Sequence, residues 1–288
     1  MLEFFTAPLA YPFMMRGLFA AVIVGVICAV VGTYVVLRGM AFFGDALAHT
    51  ILPGIAGGYL MSGGDRGALF WWALATAIAS ALGIGAISRG TKLREDTAIG
   101  IVFAGMFALG IAMISTVGSY AVDLTHFLFG DVLGVSTDDL LRSALFGGAI
   151  ILTVMLFYKE FMLLAFDPIL AETLRLPVQP LEYLLLTLIA VAIVVSIQTV
   201  GVALMLAVLV TPAATASLLT QRLHWMILLA TLFAAVAAIA GLYLSYYLGV
   251  ASGAAIVLTC TTIFLCTWGI TWVRRVVKPR PALEGEAV

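Results

Sequence analysis

The chain is poor in charge: Asp, Glu, Lys and Arg make up 10% of its 288 residues against 64% apolar residues, and its mean hydropathy is +1.18. No ordinary soluble globular domain carries that balance, which assigns the chain to a membrane. Strand-like alternation in ten-residue segments is missing, which excludes a β-barrel. Cysteine is scarce. Cys28, Cys260 and Cys266 all fall in apolar runs and read as small packing residues, not as a disulfide frame or a thiolate metal site. No Gly-x-x-x-x-Gly-Lys-Ser/Thr phosphate loop, His-Glu-x-x-His or Gly-x-Ser-x-Gly occurs, so the chain is not expected to be an enzyme. Residues 1–16 lack the basic start and early cleavage pattern of a signal peptide, and nothing is expected to be removed. At a net charge of -1 the charge sum says little about partners; no nucleic-acid partner is expected.

What is present is apolar and helix-length. Windows fall near residues 17–37, 46–63, 68–88, 97–117, 143–158, 181–198, 200–219, 225–247 and 250–273. They predict an all-α polytopic bundle of eight or nine transmembrane helices. The count turns on 181–219, where Gln198-Thr199 is the only polar break, while 125–135 reads as a short re-entrant or interfacial helix. Residues 1–276 form one transmembrane domain, and 277–288, with Pro279 and Pro281, read as a polar, disordered cytoplasmic tail.

Lys and Arg are retained on the cytoplasmic side of membranes. With the N-terminus outside and nine passes, the inside receives Arg38, Arg89, Lys92, Arg94, Lys159, Arg175, Arg222, Arg274, Arg275, Lys278 and Arg280, leaving Arg16, Arg66 and Arg142 outside. The opposite orientation inverts that bias, so the C-terminus is expected in the cytoplasm of a multi-pass plasma- or inner-membrane protein.

Within the second window, Gly44-Asp45-Ala46-Leu47-Ala48-His49-Thr50-Ile51-Leu52-Pro53-Gly54 places a carboxylate and an imidazole four residues apart. On a helix that spacing puts both on one face, one turn apart. Ionisable groups inside a span are costly and point to function. Carboxylate and imidazole together suit a borderline divalent cation, and two ligands per chain leave the incomplete site that passage requires. The residues alone also fit a second reading. In it Asp45 is a helix N-cap near the inner end of the span and His49 is hydrogen-bonded within the bundle. Pro53 and Pro212 can break helices where freed carbonyls face protein or water, and Gly54, Gly57, Gly58, Gly83 and Gly85 allow close helix approach.

Elsewhere, Asp167-Pro168 reads as an N-cap and first turn and Leu176-Pro177 as a stop, predicting a two-turn cytoplasmic helix over 168–175. That helix is either a handle for a partner or an ordinary connector. Asp96 and Thr97 can cap the next span, as can Asp138 and Asp139 near the outer face. His126, with Asp123 and Asp131 nearby, is predicted at the outer face as a loop histidine or an outer metal contact. His224 reads as a solvated interfacial residue, and Trp71, Trp72, Trp268 and Trp272 as interface belts.

Three stretches resemble the permease subunit of the ABC importers that serve manganese, zinc and iron. They are Val35–Gly54, Glu95-Asp96-Thr97-Ala98-Ile99-Gly100-Ile101, and Val200–Ala216 with its Leu209-Val210-Thr211-Pro212 core. Leu128-Phe129-Gly130-Asp131 and Phe166-Asp167-Pro168 fit in the same order, and the likeness runs from about residue 15 to 275. The resemblance implies a homodimer, or a pair of related permeases, with the path at the interface. It also implies a cytoplasmic ATP-binding subunit dimer and an extracytoplasmic metal-binding protein. Asp45 and His49 match the family's intramembrane metal pair. Asp167, Pro168, Glu172 and Arg175 fall in its ATPase-coupling element. Two positions depart from the pattern. Ala48 stands where relatives have Ser, leaving Thr50 as the candidate second hydroxyl, and Arg175 stands where relatives often have Gly. No permanent cofactor is implied. The transported ion is expected to be Mn(II), with Zn(II) or Fe(II) as alternatives. A proton-coupled secondary transporter, with Asp45 and His49 as a relay, is the competing expectation.

Overall fold

The computed structural model describes residues 8–63, 65–91, 93–116 and 132–277, and among them every regular element is helical. In chain order these are α1 (Pro12–Leu37), α2 (Ala41–Thr50), α3 (Leu52–Ser62), α4 (Arg66–Thr91), α5 (Glu95–Ser115) and α6 (Thr137–Leu156). They continue as α7 (Tyr158–Phe166), α8 (Pro168–Thr173), α9 (Val178–Val200), α10 (Val202–Leu219), α11 (Leu223–Leu248) and α12 (Ser252–Val277).

Eight of these helices are each long and apolar enough to cross a bilayer. α2 and α3 follow one another across a break at Ile51 and together hold roughly 33 Å of helical rise at about 1.5 Å per residue. α2 packs on α5, and α3 packs on both α4 and α5. The windows read from hydropathy match these helices closely because lipid forces every backbone amide into an intrahelical bond wherever side chains are apolar. Gln198-Thr199 does not end α9; Gly201, at φ 82°, makes the one-residue turn into α10. Of the predicted 125–135 helix, only the 3-10 turn Val132–Gly134 lies within the described residues. The predicted 277–288 tail lies outside them except for Val277, where α12 ends.

α1 is the axis of the bundle, packed by α6, α9, α10 and α11. α1 and α9 are 72% buried over their apolar windows, whereas α5 and α12 are 17% buried, so those two form the outer wall of a single protomer. Small residues bring helices into backbone contact, as expected in lipid. A Cβ added at Gly32 would lie 1.8 Å from the Leu209 carbonyl oxygen, and one at Gly54 would lie 2.5 Å from that of Trp72. Gly83, by contrast, has nothing within 4 Å. The two prolines also differ. Pro53 sits in the first turn of α3 and marks a break, whereas Pro212 lies inside an uninterrupted α10. There the Thr215 hydroxyl donates to the Thr211 carbonyl in the turn around the proline.

Candidate metal site

Three residues separate α1 from α2, in a turn where Gly39 adopts φ 70°. Its N-cap is Met40, with no side-chain cap, so Asp45 is the fifth residue of the helix and not its cap. That overturns the capping reading, because a carboxylate one full turn inside a helix finds its own turn's amides already committed. The pair therefore stands roughly 6 and 12 Å along the axis from Ala41. This is the half of the bundle nearer Arg38, and no long re-entrant segment precedes it.

Asp45 Oδ1 and His49 Nε2 are 3.6 Å apart. Their neighbours Phe43, Gly44, Ala46, Leu47, Ala48 and Thr50 face inward and are buried, while the pair is 38% and 27% exposed on the open face of the protomer. α5 fixes the imidazole from one side: the Phe103 and Phe107 rings meet it edge to face at 5.9 and 5.6 Å and stack on each other at 5.7 Å. Thr50 does not support the histidine, because its buried hydroxyl donates to the Leu47 carbonyl at 3.1 Å. The helix breaks two residues beyond the pair. Pro53 has no N–H to donate to the His49 carbonyl, which instead receives the Ile51 amide. A 3.6 Å gap is one that a single divalent ion with bonds of about 2.1 Å can bridge. Among the described residues no group of three or more His, Cys, Asp or Glu side chains is placed to hold a metal ion.

Reading the sequence missed a second constellation, at the end of the bundle from which α2 starts. Glu182, on the second turn of α9, accepts from Arg38 through Oε1 and from Arg89 through Oε2, the latter via Nε at 2.5 Å and also Nη2. Arg38 Nη2 donates as well to Glu95 Oε1 at 2.6 Å. Glu95 thus serves this cluster at the first residue of α5. Neither Asp96 nor Thr97 caps that helix, whose N-cap is Arg94 without a side-chain bond. The signal available in sequence was a lone Glu182 in an apolar window, two arginines assigned to topology and a Glu95 read only as part of a family-like stretch; nothing in the spacing joins positions 57 and 144 residues apart.

The 168–175 segment folds as expected. Asp167 caps α8 by accepting from the Leu170 amide at 2.9 Å, and Pro168 fills the first helical position. Ala171 is buried against the bundle, while Asp167, Pro168, Glu172 and Arg175 are exposed. Arg175 adopts φ 57°, and the Leu176 amide bonds the Ala171 carbonyl while the Arg175 amide bonds that of Glu172. This is a Schellman turn with arginine at the position that favours glycine. The departure at Arg175 therefore leaves the helix ending intact.

His126 and Asp123 lie outside the described residues. At α6 the cap is Ser136, joined to Asp139 in a reciprocal capping box; Asp138 takes no part in that box. His224 is exposed, and Trp71, Trp72, Trp268 and Trp272 all face outward. Cys28 is buried with Sγ 3.3 Å from Ser196 Oγ, Cys260 is buried and Cys266 is exposed; all three are free thiols.

Comparison with known proteins gives this architecture a family. Residues 10–270 match the model of the ABC 3 transport family. The chain is 44% identical over 261 residues to the manganese transport system membrane protein MntC of Halalkalibacterium halodurans, covering 91% of this chain and 88% of that one. It is 38% identical over 258 residues to the chelated iron transport system membrane protein YfeD of Yersinia pestis, covering 90% and 85%. Among solved structures it resembles PsaBC from Streptococcus pneumoniae in complex with Fab, with a TM-score of 0.79 and 37% identity over 93% of this chain and 95% of that one. A helical bundle whose second helix carries Asp45 and His49 just ahead of a break at Ile51, matched to one family over nearly all its length, belongs to the ABC 3 transport family.

Proposed function

We propose that the chain conducts a divalent metal ion, with Mn(II) favoured over Zn(II) and Fe(II), through a path lined by Asp45 and His49. The chain is a multi-pass membrane permease of an ABC transporter, a transport and not a catalytic subunit. The observation that carries the metal reading is the 3.6 Å approach of carboxylate and imidazole on the open face of a helix broken two residues later. Relatives named for manganese and for chelated iron support a metal cargo, and the oxygen–nitrogen donor pair without thiolate favours the harder ion.

In this mechanism an extracytoplasmic binding protein delivers the ion to the face where α1 starts. The ion is held by Asp45 and His49, with the missing ligands supplied by the same pair of a second permease across the interface. ATP drives closure of a dimer of cytoplasmic ATP-binding subunits. The closure is received by the exposed segment Asp167–Arg175, with Pro168 and Glu172 in its first and last turns. The lysine and arginine bias puts this segment, Arg38 and Arg89 in the cytoplasm and the N-terminus outside.

Proteoliposomes holding the permease, its ATP-binding subunit and its binding protein test this. Uptake of Mn(II) is expected to need internal-face ATP and to vanish in Asp45→Ala with assembly intact. Normal uptake by Asp45→Ala, or uptake driven by a proton gradient with this chain alone, overturns it.

A further inference from the structure

Arg38, Glu95, Arg89 and Glu182 come from the end of α1, the start of α5, the end of α4 and the second turn of α9, and no step of metal passage uses them. We propose that Glu182 is a positioning residue that transmits movement of the 168–175 segment to the two helices framing Asp45 and His49; this rests on the reading of that pair given above.

The placement carries the argument. Glu182 lies five residues beyond Pro177, and α8 packs against both α7 and α9, with Ala171 buried at the joint. A push on α8 therefore reaches the first turns of α9. From there Glu182 grips Arg38, three residues before the helix that carries the pair, and through Arg38 holds Glu95, at the head of the helix whose Phe103 and Phe107 flank His49. Its other oxygen holds Arg89, at the end of α4, on which α2, α3 and α5 all pack. One carboxylate thus ties the docking side of the chain to both walls of the candidate site.

Energetics point the same way. Arg38 and Glu182 are each only 11% exposed, and two cations with two anions make the cluster neutral. A buried ion pair of this kind contributes little beyond what packed apolar residues would, and its best-attested use is to fix one arrangement among several. Among the described residues Arg38 Nη1 is buried without a hydrogen-bond partner, so a donor is available for a second pairing. Discrete exchange of partners is how packed interfaces switch between two states.

The test uses the reconstituted importer and reads metal moved per ATP hydrolysed, together with the Mn(II) concentration at half-maximal uptake. Glu182→Gln is expected to lower the ratio at least tenfold while ATP hydrolysis and assembly persist and the half-maximal concentration is unchanged. Arg89→Gln is expected to do the same and Arg89→Lys to restore most of the ratio. A membrane-inserted Glu182→Gln or Arg89→Gln running at the parent ratio overturns the inference. So does failure of both to insert, which assigns the cluster to folding alone. Asp45→Ala separates the two claims. If it imports normally, the metal reading falls. If it is dead while Glu182→Gln and Arg89→Gln remain coupled, only the role of Glu182 falls.

Discussion

Gly110 of α5 lies directly against Leu52, the first residue of α3: a Cβ built on Gly110 would stand 2.6 Å from Leu52 Cβ and 3.1 Å from the Pro53 nitrogen. The break beside His49 is thus clamped by a helix that must come within backbone distance. Gly110→Val is expected to force α5 away, costing about 1–3 kcal/mol from overpacking and displacing Phe103 and Phe107 from the imidazole. Gly83→Ala, where nothing lies within 4 Å, is the matched control and is expected to leave the melting temperature in detergent unchanged or slightly raised. Equal melting temperatures and equal uptake in Gly110→Val and the parent would contradict the clamp.

Phe107 holds the His49 ring edge-on without offering a ligand of its own. Phe107→Ala is expected to raise the Mn(II) concentration at half-maximal uptake several-fold, because a freed imidazole must be ordered again each time an ion binds. Phe107→Leu, which refills the space, is expected to recover part of the loss. Uptake titrations on vesicles holding equal amounts of each importer decide it.

Arg175 occupies left-handed backbone at φ 57°, a conformation that costs a non-glycine residue about 1–2 kcal/mol. Arg175→Gly is expected to stabilise the turn by about 1 kcal/mol, to raise the melting temperature and to keep uptake. Arg175→Val is expected to do the reverse. A fall in melting temperature for the glycine variant would show that the guanidinium contributes more than the backbone loses.

At the other end of the same helix, Asp167→Ala removes the acceptor for the Leu170 amide and is expected to cost about 1 kcal/mol, whereas Asp167→Asn keeps the cap. If the segment receives the ATP-binding subunit, co-purification of that subunit is expected to weaken in the alanine variant and persist in the asparagine variant.

Orientation is tested by labelling. In a cysteine-free background, a thiol-reactive probe confined to the outside is expected to reach a cysteine placed at Asp65 and to miss one placed at Glu172. The inverse pattern would reverse the assigned topology.

The helices were readable because their cause is local. Runs of apolar side chains longer than about 18 residues leave the backbone no option but helix in lipid. The Asp45–His49 pairing was readable for the same reason, since four-residue spacing on one helix is fixed by the helix alone. The start of α8 was readable from Asp167-Pro168, and the stop that follows it from Leu176-Pro177. What escaped was nonlocal. Glu182 was one charge in a greasy window, and only the packing of α9 against α4 and α1 shows that it meets Arg89 and Arg38. Thr50 looked like a second hydroxyl for the histidine, but a helical threonine bonds its own preceding turn, and that local option won. Asp45 read as a cap because Gly44 precedes it; the true start at Ala41 is set by the Gly39 turn, which propensity does not place to within a residue.

The exposure of Asp45 and His49 on the outer face of one protomer has a bearing on assembly as well as on transport. An ionisable pair left uncovered within a membrane span is costly, with an upper bound of about 2.5–3.5 kcal/mol for a carboxylate at the helix centre on insertion scales. Covering that face with another permease relieves the cost for both partners at once. On the proposal that Asp45 and His49 hold the ion at an interface with a second permease, the same residues make the unpaired subunit the less stable species, and formation of the conduit and association of its two halves draw on the same side chains.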